Sequence, residues 1–89
     1  MDIEESEYIE NSSINLFFDN QENEIVLQNI DNLKIENIQL FNILGQKINQ
    51  WVFLKSTYEY RLKVKKLDVL YIISIKTSKG YINKKILIK

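Results

Sequence analysis

Apolar and polar residues alternate along most of this chain with a period of two, the period of a half-buried strand, and no useful length carries the 3.6-residue repeat of a helix. The cleanest stretch is Tyr58-Glu-Tyr-Arg-Leu-Lys-Val64, which puts Tyr58, Tyr60, Leu62 and Val64 on one face and Glu59, Arg61 and Lys63 on the other. Upstream, Ile14 to Phe18 places Ile14, Leu16 and Phe18 together. Asp19 to Asn23 reads as a polar turn, Glu24 to Gln28 as a second strand, and Asn29 to Asn32 as a loop. Lys34 to Leu44 predicts a long third strand with Ile38 and Leu40 inward. Gly45 marks a turn, Gln46 to Phe53 returns, and Leu54 to Thr57 turns again. Lys65 to Asp68 then leads into a closing hairpin, Leu70 to Lys89, folded about Ser78-Lys79-Gly80.

Seven short strands with turn signals about 8 to 12 residues apart predict an all-β fold, a seven-stranded antiparallel β-sandwich of Ig-like or jelly-roll-like type. The sequence has only two glycines and no proline, so asparagine and aspartate must supply the left-handed turn positions. In the closing hairpin, a two-residue loop at Lys79-Gly80 pairs Thr77 with Ile82, Ile75 with Lys84, Ile73 with Ile86 and Tyr71 with Ile88 on a mostly apolar face. The other face carries Lys76 opposite Asn83, Ser74 opposite Lys85 and an apolar pair, Ile72 and Leu87. A bulge at Gly80 would slip this register by one and exchange the faces of one strand. The last strand is either a structural closing strand or an address that another protein reads.

The chain has no cysteine and no histidine, which removes disulfides, thiolate chemistry, imidazole acid-base catalysis and the usual transition-metal ligands. Carboxylates are the remaining acids and bases. Asp19-Asn20-Gln21-Glu22-Asn23-Glu24 gathers oxygen ligands but lacks the glycine and the bidentate glutamate of an EF-hand loop, and reads as a solvated turn. With no activated nucleophile and no phosphate-cradling glycine loop, we expect a non-enzymatic domain without cofactor or small-molecule substrate. Of the aromatics, Tyr58 and Tyr60 belong to the apolar phase and read as core. Trp51 lies in a strand apolar on both phases and fits either core or an exposed edge.

Neutral overall, the chain segregates its charge: up to Glu36 it carries ten acids and one lysine, and from Asn37 onward two acids, ten lysines and one arginine. Such asymmetry fits either a bipolar domain or a basic C-terminal face that meets an anionic partner. The basic residues alternate with apolar ones along strands and no base-stacking motif occurs, so nucleic acid is not expected as partner. Residues 1–12 read as an acidic linker or arm and residues 13–89 as the domain. No apolar run is long enough for a membrane-spanning helix, and no leader of the charged-then-apolar kind opens the chain.

Ile38-Gln-Leu-Phe-Asn-Ile-Leu-Gly-Gln-Lys-Ile48 resembles the strand-turn-strand segment in the C-terminal sorting domains of type IX secretion cargo from Bacteroidota, with Phe41, Gly45 and Gln46 in the aromatic and turn places. Leu70-Tyr-Ile-Ile-Ser-Ile, Gly80 and Lys84-Lys-Ile-Leu-Ile-Lys89 resemble that family's last two strands. Leu16 to Ile25 is similar in length to its opening segment, although Phe18 and Asn20 stand where the family has prolines, Asp19 stands in the place of its asparagine, and Val69 or Leu70 replaces a glycine before the aromatic represented by Tyr71.

The resemblance spans Ile14 to Lys89. It implies a non-catalytic signal domain that follows an upstream passenger domain and is exported through the periplasm to the cell surface or the medium. The implied partners are the outer-membrane translocon, its shuttle proteins and a sortase-like peptidase. The residues expected to meet them are Gly80, Ile82, Lys84, Lys85, Ile86, Leu87, Ile88 and Lys89, with Gly45 as a structural turn. In this register Lys84 is either a snorkelling residue that protects the edge or a recognition contact. The competing reading is a structural or adhesive β-sandwich module, carbohydrate-binding or filament-linking, whose last strand only closes the fold.

Overall fold

The computed structural model describes residues 14–52, 57–65 and 69–88. The acidic arm, most of the turn expected at Leu54 to Thr57, residues 66–68 and Lys89 lie outside them. Seven strands follow one another: β1 (Ile14–Asp19), β2 (Glu24–Asn29), β3 (Ile35–Phe41), β4 (Lys47–Val52), β5 (Glu59–Lys63), β6 (Leu70–Thr77) and β7 (Gly80–Leu87). They form two antiparallel sheets, sheet A in the order β1-β2-β5 and sheet B in the order β4-β3-β6-β7. The fold is an Ig-like β-sandwich. In an immunoglobulin constant domain the fourth strand extends the sheet of strands one, two and five. Here β4 pairs with β3 instead, and a jelly roll of eight strands does not fit this order.

Between the sheets lie Ile25 and Leu27 of β2, Ile38 and Leu40 of β3, Tyr60 and Leu62 of β5, Tyr71, Ile73 and Ile75 of β6, and Ile82 and Ile86 of β7, all buried. Each strand contributes alternate positions, as the period of two requires. Tyr71 adds a polar tie: its buried ring ends in a hydroxyl that donates to the Lys65 carbonyl at 3.3 Å, six residues upstream. This is the tyrosine corner of Ig-like sandwiches, which fixes the entry into β6.

The crossover from sheet A to sheet B hangs on Asn29, which is 1% exposed. Its side-chain amide donates to the Leu33 carbonyl at 2.7 Å, and its oxygen accepts from the Leu33 N–H at 2.9 Å. A chain leaving a sheet has no ladder partner for its backbone groups, and the carboxamide supplies both a donor and an acceptor in place of a strand. Asn32 takes the left-handed turn position at φ 53° and Asn23 does the same at φ 56° between β1 and β2. The asparagines thus do what the scarcity of glycine demands.

Two sequence expectations require correction. The third strand ends at Phe41, not Leu44, because the Asn42 side-chain oxygen accepts from the Leu44 and Gln46 N–H groups at 3.0 Å each and bends the chain out of the ladder. Tyr58 is not core: it precedes β5, gives its carbonyl to the Asn29 N–H at 2.7 Å, and is 55% exposed.

On the outer side of sheet A, Arg61 binds three carboxylates: Glu59 at 2.8 Å and Asp19 and Glu24 at 3.1 Å each. Its cross-strand neighbour Val26, fully buried although it points outward, is flanked on the other side by Phe17. Hydrogen bonds from Arg61 and the turn backbone lower the pKa of Asp19, and those from Gln28 and Arg61 lower that of Glu59. A lowered folded-state pKa stabilises above the unfolded value, and that contribution disappears as pH falls through the folded value. In denaturant titrations, Arg61→Met should therefore be less stable than the parent at pH 6. The gap should narrow from about pH 4.5, the ordinary glutamate value, through the 3.8 of aspartate and below. A gap constant from pH 6 to pH 3 would contradict the network.

Candidate functional site: the β6–β7 hairpin and the outer face of sheet B

The hairpin turns on Ser78-Lys79, with Thr77 paired to Gly80. Thr77 Oγ1 donates to the Gly80 carbonyl at 2.8 Å and accepts from the Lys79 N–H at 3.1 Å, so a buried threonine closes the loop. Gly80 takes its positive φ of 138° as the first residue of β7, not inside the loop. This corrects the expected register. Tyr71 faces Ile86, Ile73 faces Lys84, Ile75 faces Ile82, Ile72 faces Lys85 and Leu70 faces Leu87, and no bulge interrupts the ladder. Because every pairing moves by two positions, the faces survive while the partners change.

The eight residues expected to meet a partner divide by face. Ile82, Ile86 and Ile88 are buried core side chains that a partner cannot reach in the folded domain. Gly80 is half-buried at the start of β7. Lys84 lies on the inner side of the edge strand, where its ammonium donates to the Ile14 carbonyl of β1 at 3.1 Å and ties the edge of sheet B to that of sheet A. A lysine directed inward at an edge is a device that blocks strand addition. Its position favours the protective role over free recognition. Lys85 and Leu87 point outward, Leu87 with 54% of its surface exposed. Lys89 lies outside the described residues.

Cross-strand rows extend this outward side over the whole sheet. One row runs Lys47, Phe41, Ile72, Lys85 from β4 to β7, and beside it lies Leu70 opposite Leu87. The next row, Gln50, Gln39, Ser74, Asn83, is polar, and the one after it, Val52, Asn37, Lys76, Tyr81, is mixed, with Val52 and Tyr81 exposed at its two ends. One end of the face is thus an apolar strip of Phe41, Leu70, Ile72 and Leu87 with a lysine at each flank. The sequence pattern found the outward apolar pair but assigned Leu87 the wrong neighbour. It missed Leu70, Phe41 and Lys47 because those join only through pairing in the sheet.

The β3–β4 turn that borders this strip is locked by Asn42, whose amide also donates to Gln46 Oε1 at 2.8 Å. Gly45 takes φ 85°, and a Cβ there would meet nothing within 4 Å. Its role as a structural turn is therefore conformational, not steric. Gly45→Ala should cost about 1 kcal/mol in chemical denaturation, the left-handed penalty of a side chain. Gly45→Asn should recover most of it, and equal losses for both would show that the turn geometry is not the cause.

Trp51 is half-buried and packs against the core, and does not form an exposed aromatic row. Beside it, between β4 and the end of β5, opens a cleft of about 450 Å³ lined by Leu40, Ile48, Asn49, Lys63, Val64 and Lys65. Among the described residues its lining carries no carboxylate and no hydroxyl. No protein-family model and no curated protein matches the sequence.

Proposed function

We propose that this chain is a sorting domain of type IX secretion cargo, a module that acts by being recognised, and that carries an upstream passenger across the outer membrane. Support comes from the resemblance of Ile38 to Ile48 and of Leu70 to Lys89 to that family. The observation that carries the reading furthest is the outward side of the hairpin, where Lys85 and the exposed Leu87 on an edge strand adjoin the half-buried apolar side chains of Phe41, Leu70 and Ile72. In this reading the translocon and its shuttle proteins contact Lys85, Leu87 and the strip, while Ile82, Lys84, Ile86 and Ile88 keep the hairpin in shape.

The test is a fusion of the whole chain to a periplasmic reporter in a type IX-competent Bacteroidota host. Export that depends on the secretion system is the expected result. A reporter that stays periplasmic, or that leaves equally well in a host lacking the system, would refute the proposal. Truncation of residues 85–89 is a poor version of this experiment, since it removes Ile86 and Ile88 from the core.

A further inference from the structure

We infer that the outer face of sheet B is the docking site for the acidic N-terminal segment of this same chain, residues 2–10. The face presents Lys47 and Lys85 at the flanks of the strip of Phe41, Leu70, Ile72 and Leu87, and Lys76 two rows away, where Glu36 lies at 3.6 Å as a partial counterweight. Segment 2–10, Asp-Ile-Glu-Glu-Ser-Glu-Tyr-Ile-Glu, carries five acids and no base, interleaved with Ile3, Tyr8 and Ile9. Charge and apolar content are both complementary. The outer face of sheet A exposes Phe17, but its Arg61 is already bound to three carboxylates, which repel this segment, and Lys63 already faces Glu24.

Reach permits this placement, although Ile14 itself opens β1 of sheet A, so charge and not distance favours sheet B. The segment leads into Ile14, whose carbonyl is held by Lys84 on β7, the edge strand of sheet B. Along β7, Lys85 lies about 3.4 Å and Leu87 about 10 Å beyond Lys84. Tyr8, six residues before Ile14, can lie up to about 20 Å from it, and Ile3 up to about 36 Å. The four strands of sheet B span only about 15 Å. A tethered segment also acts at high effective concentration, so modest contacts suffice. The segment would cover the residues that the sorting proposal gives to the translocon and would have to be displaced for recognition; docking is read in the isolated protein and export in cells, so the two can fail separately.

The chain has no cysteine, so Ser6→Cys in the full-length protein accepts a single nitroxide label without removing an acid. In ¹⁵N-labelled protein at low salt, the amides of Leu70, Ile72, Lys85 and Leu87 should broaden well beyond those of Asn15, Val26 and Arg61. The difference should vanish in about 1 M salt, where screening acts within a few ångströms. It should also vanish in Lys47→Glu/Lys85→Glu. Equal broadening of the two faces, preference for sheet A, or insensitivity to salt and charge reversal would overturn the inference. So would broadening found only when labelled unenriched protein is mixed with unlabelled ¹⁵N protein, because the occupant would then be a second molecule.

Discussion

Asn29→Ala is expected to lower stability by about 3 kcal/mol, among the largest effects of any polar substitution in this domain. The magnitude follows from what the truncation leaves behind. The Leu33 N–H and carbonyl lose their partners together, at 2.9 and 2.7 Å, in a loop segment where Leu33 itself is only 7% exposed. Each buried orphan costs about 1 to 3 kcal/mol. Asn29→Asp keeps the acceptor for the N–H but turns a carboxylate oxygen toward the Leu33 carbonyl, so it should be no milder at neutral pH. Urea denaturation of both variants checks this. A loss under 1 kcal/mol for alanine would mean that the loop finds other partners at little cost.

That dependence on one asparagine shows where sequence reading reaches its limit. The strands were legible because Tyr60, Leu62, Ile38 and Leu40 repeat at the interval that one buried face imposes. The prevalence of asparagine in turns was legible too, and Asn23 and Asn32 fill left-handed positions as expected. Asn29 was read as an ordinary loop residue. Nothing local distinguishes a solvated asparagine from one whose carboxamide substitutes for a missing strand, since the difference lies in what packs over it.

The hairpin register failed for a related reason. Gly80 suggested a loop position, but Thr77 closes the turn through its hydroxyl and leaves the glycine in the ladder. The pairing moved by an even number, so the inward and outward sets remained correct while Leu70, and not Ile72, came to face Leu87. Tyr58 fell out of the core because the strand that carries the alternation begins one residue later.

The second large expectation follows from those two sets. Ile86→Ala removes a side chain 6% exposed and should cost about 3 kcal/mol through lost burial and the cavity left behind. Lys85→Glu and Leu87→Ser lie between or beside such residues on the same strand, yet point outward. Each should change stability by no more than about 0.5 kcal/mol. If Leu87→Ser proved as damaging as Ile86→Ala, the strip would belong to the fold, and its availability to a partner would lose its basis.

We propose that the outward side of this hairpin, and not the strand's buried side, is what the export machinery reads. This is tested most directly by secretion of a reporter fused to the full chain carrying Lys85→Glu and Leu87→Ser together, with folding of the purified domain followed by circular dichroism. The account predicts a folded domain and a reporter retained in the periplasm. A folded double variant exported as efficiently as the parent would contradict it.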